Sequence, residues 1–184
     1  MCKFDIKEFM NNFEISLLRI QQDYYRIPVV YNEEGIQRER IFCNELSIQF
    51  RAVFGDDYPY KIHSEINKGG HPSFQGELKG IDPDFIVHTP GTHDDNNVVI
   101  EVKGNLGDIN KIIWDFQKIY YLLVDKKIHY KYGVFLLYNH TIADLKTMIS
   151  EKLAGIGTDF DDRFFIICSP KSGSIEAKLL SDLR

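Results

Sequence analysis

The chain has 184 residues, 43% of them hydrophobic and 27% charged, with a formal net charge of −5. That profile is expected of a soluble globular protein with one real core, and no apolar run approaches the ~20 residues of a membrane span. The opening MCKFDIKEFMNNF carries charges throughout instead of a secretory apolar segment. The three cysteines, Cys2, Cys43 and Cys168, are scattered, which argues against a disulfide framework or a zinc cluster and for a reducing, cytoplasmic setting.

In chain order, residues 5–24 place Ile6, Phe9, Met10, Phe13, Leu17 and Ile20 at helical spacing. Pro28 and the run Asn32-Glu33-Glu34-Gly35 interrupt it. A second helix is expected over about 36–54, with Phe42, Leu46, Phe50 and Val53 on one stripe and Gly55-Asp56-Asp57 ending it. Residues 60–67 alternate as a strand, and the glycine-rich stretch 68–80 reads as a loop. Two apolar strand-like runs follow, around GIDPDFIVH and VVIEVKG, joined by the polar turn TPGTHDDNN. Asp108 can cap a helix carrying Ile109, Ile112, Phe116, Ile119 and Leu123, the cleanest helical period in the chain. Residues 131–138 form a strand, Thr141 caps a helix to about Leu153, and 163–168 form a last strand. The expected fold is α/β, one domain over 1–184: a mixed sheet flanked by helices, with an αβββαβ core over about 36–168 and an extra N-terminal helix.

Residues along a strand alternate faces. Asp82 and Asp84 therefore share a face opposite Phe85 and Val87, and Glu101 and Lys103 share one opposite Ile100 and Val102. If the two runs pair as a hairpin, Asp84, Glu101 and Lys103 converge. Two carboxylates beside an ammonium suit a hard divalent cation, which accepts one or two carboxylates and leaves positions for water and phosphate.

The pair Pro83-Asp84 followed by Glu101-Val102-Lys103 resembles the PD-(D/E)XK nuclease superfamily over roughly residues 40–140. The resemblance implies a restriction-endonuclease-like fold and Mg²⁺-dependent hydrolysis of DNA phosphodiester bonds, with Mn²⁺ able to substitute. It implies Asp84, Glu101 and the main-chain carbonyl of Val102 as metal ligands, with Lys103 orienting the attacking water and steadying charge on phosphate. The family often adds an acid from the helix before the sheet. Glu45 is the favoured candidate, through water where it does not reach the metal directly, and Glu39 is its rival. Gln117 and Tyr121, at i and i+4, resemble the QxxxY pair of RecB-type nucleases. They share a stripe with Asn110 and Trp114 beside Lys111 and Lys118, a face suited to stacking bases and holding phosphates. The negative net charge is no obstacle, since a metal-dependent site itself needs acids.

Other groups carry blander readings. His63 and Glu65 either reach the site or face solvent. His93-Asp94-Asp95 reads as a solvated turn, and Lys126, Lys127, His129 and Lys131 as a basic turn with some capacity for phosphate. No motif for a protein nucleophile or a P-loop is present. The reading is a DNA endonuclease, working as a homodimer or with a partner subunit because one site cuts one strand. The alternative is the same fold used as a catalytically silent subunit.

Overall fold

The computed structural model describes residues 3–64, 81–91, 95–153, 156, 158, 161–171 and 173–184. Helix α1 (Ile6–Leu18) is capped by Asp5, whose carboxylate accepts from the N–H groups of Lys7 and Glu8. It stops short of the expected 24, and a separate short helix α2 (Gln22–Tyr25) follows. The Pro28 region forms a small hairpin instead of a plain break: β1 (Ile27–Val29) pairs antiparallel with β2 (Asn32–Ile36). Tyr31 takes the left-handed conformation at its tip. Helix α3 (Glu39–Phe54) comes next, ended by Gly55 at φ 73°.

Among the described residues the main sheet has six strands in sequential order. They are β3 (Lys61–Ser64), β4 (Phe85–His88), β5 (Asn96–Lys103), β6 (Tyr132–Tyr138), β7 (Phe164–Ser169) and β8 (Glu176–Leu179). The pairs β3–β4 and β4–β5 are antiparallel, β5–β6 and β6–β7 are parallel, and β8 returns antiparallel to β7. Parallel neighbours need crossovers; α4 (Ile109–Val124) links β5 to β6 and α5 (Ile142–Ile149) lies between β6 and β7. Both helices start where the caps were expected. Asp108 accepts from Asn110 N–H, and Thr141 forms a reciprocal capping box with Asp144. The fold is thus α/β, and from α3 to β6 the elements run αβββαβ. The strand expected over 60–67 is described as far as Ser64; the loop 68–80 lies outside the described residues. β8 was not anticipated.

Each face of the sheet carries its own core. Phe9, Phe13, Phe42 and Phe50 of α1 and α3 pack on Phe85, Ile100, Val102 and Val134. On the opposite face Ile112, Phe116 and Ile119 of α4 and Leu145 of α5 cover Ile86, Val99 and Phe135. Strand β5 lies between paired neighbours, so Asn96 to Val102 are all buried. This two-sided cover explains its nearly continuous apolar run. No helix among the described residues is long and apolar enough to cross a membrane.

The close approach of α4 to the sheet depends on Gly133. A Cβ there would collide with the Ile119 side chain. Gly133→Ala should therefore cost about 1–3 kcal/mol through overpacking, read as a lower urea midpoint at unchanged slope. A midpoint equal to that of the parent would contradict this packing.

Candidate active site

The register Phe85↔Ile100 is the β4–β5 pairing closest to the C-terminal end of β5. Past it Asp84 replaces the ladder with its side chain: Oδ2 accepts from Val102 N–H at 2.7 Å. A residue's N–H and C=O lie on the same edge of a strand, so the Val102 carbonyl also faces the β4 side. At this end of the parallel strands an open α/β sheet ordinarily holds its ligands. Asp82, the fallback for Asp84, is exposed.

Glu101 and Lys103 point from β5 toward α4. Glu101 is 1% exposed, and an unpaired carboxylate there would be prohibitive. Its Oε2 meets Lys118 Nζ at 2.6 Å. Lys118 also meets Asp115 Oδ1 at 2.8 Å, and Asp115 Oδ2 lies 3.1 Å from Lys103 Nζ. Glu39, in the first turn of α3, closes the chain at 3.5 Å from Lys103. The sequence of charges runs Glu39, Lys103, Asp115, Lys118, Glu101, with Asp84 coupled electrostatically to Glu39, Glu101 and both lysines. Glu101 Oε1 is buried and takes no hydrogen bond among the described residues.

Of the two α3 acids, Glu39 makes the contact with Lys103. Glu45 is buried and accepts from Gln49 Nε2 at 2.7 Å, so its described partner lies within its own helix. Lys118 does not stand on an outer phosphate-binding stripe; its side chain is 12% exposed and locked between two acids. Lys111 is exposed and pairs loosely with Asp108 at 3.8 Å. Gln117 is half-buried, Tyr121 packs against the α4 core, and Trp114 and Asn110 are exposed. Asp115 was missed by the sequence reading. Its signal was available: it sits between Ile112 and Ile119 on the apolar face of α4, where a lone aspartate demands a partner.

The remaining candidates are engaged elsewhere or lie outside the described residues. His63 Nδ1 and His88 Nε2 are 2.9 Å apart. Glu65, His93 and Asp94 lie outside the described residues, while Asp95 pairs with Lys131 at 3.6 Å. Lys131 also donates to Asn97 Oδ1 at 2.8 Å, and Lys126, Lys127 and His129 are exposed.

Burial pushes the Asp84 carboxyl up to about 6, against the Val102 N–H, which favours its charged form; nearby Glu39 adds to the rise. Burial likewise holds Glu101 well above the ordinary carboxylate range, partly offset by Lys118. For Lys103 burial works downward, but Asp115 and Glu39 outweigh it and raise the ammonium to about 12. Both lysines thus stay charged at neutral pH.

The group holds four carboxylates (Glu39, Asp84, Glu101, Asp115) and two ammoniums (Lys103, Lys118), leaving two negative charges when all are ionised. Hard oxygen donors, an orphaned buried Glu101 oxygen and a charge deficit of two fit a dication such as Mg²⁺. Among the described residues, no three His, Cys, Asp or Glu side chains already form a metal cage. A cleft of about 290 Å³ opens beside Lys103, with Glu39, Asn105 and Lys111 on its walls. A second cleft, about 360 Å³, lies against β8 and is lined by Ile6, Met10, Phe165 and Leu179; it contains no buried charged cluster.

The raised Asp84 value has a consequence for stability. Its folded-state proton affinity exceeds the ordinary value of 3.8, so its contribution is fully present below pH 3.8 and is lost as pH rises through about 6. The loss is on the order of 3 kcal/mol. Asp84→Asn should lack this loss, so the gap between the two proteins' unfolding free energies should widen from pH 4 to pH 7 in favour of the variant. Parallel pH profiles would contradict the burial described.

No family model matches the chain, and neither a curated protein nor a solved structure does.

Proposed function

We propose that the protein is a divalent-metal-dependent nuclease that hydrolyses phosphodiester bonds of DNA. One observation carries the reading: Asp84, Glu101 and Lys103 come together where β4 and β5 part, in a largely buried group of four carboxylates and two ammoniums. Asp84, Glu101 and the Val102 carbonyl would hold the cation. When bound, it supplies Lewis-acid polarisation of a phosphoryl oxygen and a water acidified toward neutrality. Lys103, positioned by Asp115 and Glu39 beside the cleft, presents a permanent positive charge to the attacking water and to the charge developing on phosphate. Lys111 and the exposed Trp114 stand on the helix flanking that cleft and suit contact with the strand beyond the scissile bond. The resemblance of Pro83-Asp84 and Glu101-Val102-Lys103 to the PD-(D/E)XK pattern, and the αβββαβ order, support the same reading by analogy.

The test is supercoiled plasmid incubated with pure protein in Mg²⁺, Mn²⁺ or chelator. Nicked or linear product that needs the metal supports the proposal; intact plasmid in every arm overturns it. Linear product formed without accumulation of the nicked form would accompany a dimer, which light scattering reads directly. A cytoplasmic location agrees with Cys43 and Cys168, which are buried and not joined in a disulfide.

One observation favours a second reading, the same fold as a non-catalytic subunit of a nucleic-acid-processing assembly. The Glu101 carboxylate already has a cation of its own in Lys118. Under that reading the protein binds DNA or a partner without cleaving in any metal.

A further inference from the structure

Lys118 occupies a place that the proposed metal site has no need to fill with a lysine. It arises from the middle of α4, nearly three turns past the Asp108 cap, and its ammonium touches Glu101 Oε2 at 2.6 Å and Asp115 Oδ1 at 2.8 Å. We propose that Lys118 is a built-in counter-ion that competes with the divalent cation for the charge of Glu101, so that metal entry at this site loosens the ammonium's hold on that carboxylate and shifts it toward Asp115. The inference rests on the metal site proposed above and concerns how that site is regulated.

Three features carry it. Glu101 is almost wholly buried, and among the described residues only one of its oxygens is partnered. A hard dication that takes the unpartnered oxygen draws the carboxylate's charge toward itself, and one that chelates both oxygens shares the oxygen now bound to Lys118; either way the hold on Lys118 weakens. Second, Asp115 provides the ammonium with somewhere to go. It lies at i−3 on the same helix, is buried, and already holds Lys118 with its other oxygen on Lys103. The displaced ammonium therefore keeps one buried ion pair instead of being stranded. Third, the flexible four-carbon stem of lysine lets its head move over a short distance without moving α4. The expected result is a site of modest metal affinity whose two lysines converge on Asp115 once the ion is present.

The experiment measures ion binding, not cleavage. Free Mn²⁺ is followed by electron paramagnetic resonance as the ion is titrated into the parent protein, Lys118→Met, Lys118→Arg and Glu101→Gln. Lys118→Met should bind Mn²⁺ at least tenfold more tightly than the parent, Lys118→Arg should stay close to the parent, and Glu101→Gln should lose binding. Equal or weaker binding by Lys118→Met, with the parent still binding through Glu101, overturns the inference and leaves the metal site standing. Absence of Mn²⁺ binding by both the parent and Lys118→Met overturns the metal reading itself and the inference with it.

Because Lys118→Met removes a buried charge, the parent protein supplies a second measurement. The side-chain ¹⁵Nζ resonance of Lys118, assigned by its absence from Lys118→Arg, should shift on titration with Mg²⁺. Its ammonium protons should also exchange faster as the contact with Glu101 is released. A Lys118 resonance that stays in place at saturating Mg²⁺ overturns the inference.

Discussion

Lys103→Met should leave a folded protein whose Mg²⁺-dependent cleavage of plasmid falls by about 10²–10³, the usual cost of removing one preorganised electrostatic donor. Methionine keeps most of the length and apolar stem of lysine, so the change removes mainly the charge. The fold has reason to survive. Glu39, which is 39% exposed, can return to water, and Asp115 keeps Lys118 as its partner. The ammonium itself stands where β5 ends, beside a cleft, with its charge secured by two acids. Initial rates of nicking at saturating Mg²⁺, with circular dichroism as the check on folding, decide the matter. A variant that cuts as fast as its parent would remove Lys103 from the chemistry and with it the placing of the active site at this cluster.

The strands that carry the site were legible because their polar residues interrupt apolar runs. A carboxylate inside VVIEV has to be answered by something, and period-two alternation placed it on the side of Lys103. The helix after it was legible for the complementary reason, a clean 3.6-residue period with an aspartate cap. The elements that escaped are those with little burial to mark them. β8 is a four-residue edge strand whose residues are half-buried or exposed, so no alternation announces it. The β1–β2 hairpin buries little and turns at Val30-Tyr31, both exposed, without the usual glycine or asparagine in the turn. The site's second layer was hidden by a different limit. Helical spacing says which residues share a stripe but not which edge of the stripe meets the sheet. Lys118 was therefore assigned to an outer face, and Asp115 was overlooked although it lies among Ile112, Phe116 and Ile119. The choice between Glu39 and Glu45 turned on where α3 begins. A start at Glu39 places that residue in the first turn, near the strand end, and sends Glu45 a turn and a half further along, toward Gln49.

Lys118→Met should also be the most destabilising single change in the cluster, by about 3–5 kcal/mol at neutral pH. That is the usual cost of breaking a buried pair by deleting one partner. Glu101 would be left in the interior of a central strand with no cation in contact, and Asp115 would lose one of its two ammoniums. The sign of the pH dependence follows from Glu101, whose proton affinity is already raised by burial and would rise further without Lys118. A group that binds its proton more tightly when folded favours the folded state at low pH. The deficit of the variant should therefore shrink as the medium is acidified and Glu101 becomes neutral. Adding Glu101→Leu should recover much of the loss, because replacing both members of a buried pair by apolar groups is often close to neutral. Urea unfolding of the two single variants and the double variant gives the coupling energy directly. A Lys118→Met midpoint within about 0.5 kcal/mol of the parent, the range of an ordinary surface change, would mean that the Glu101–Lys118 pair is not the buried contact described. The site would then have to be rebuilt around Asp84 and Lys103 alone.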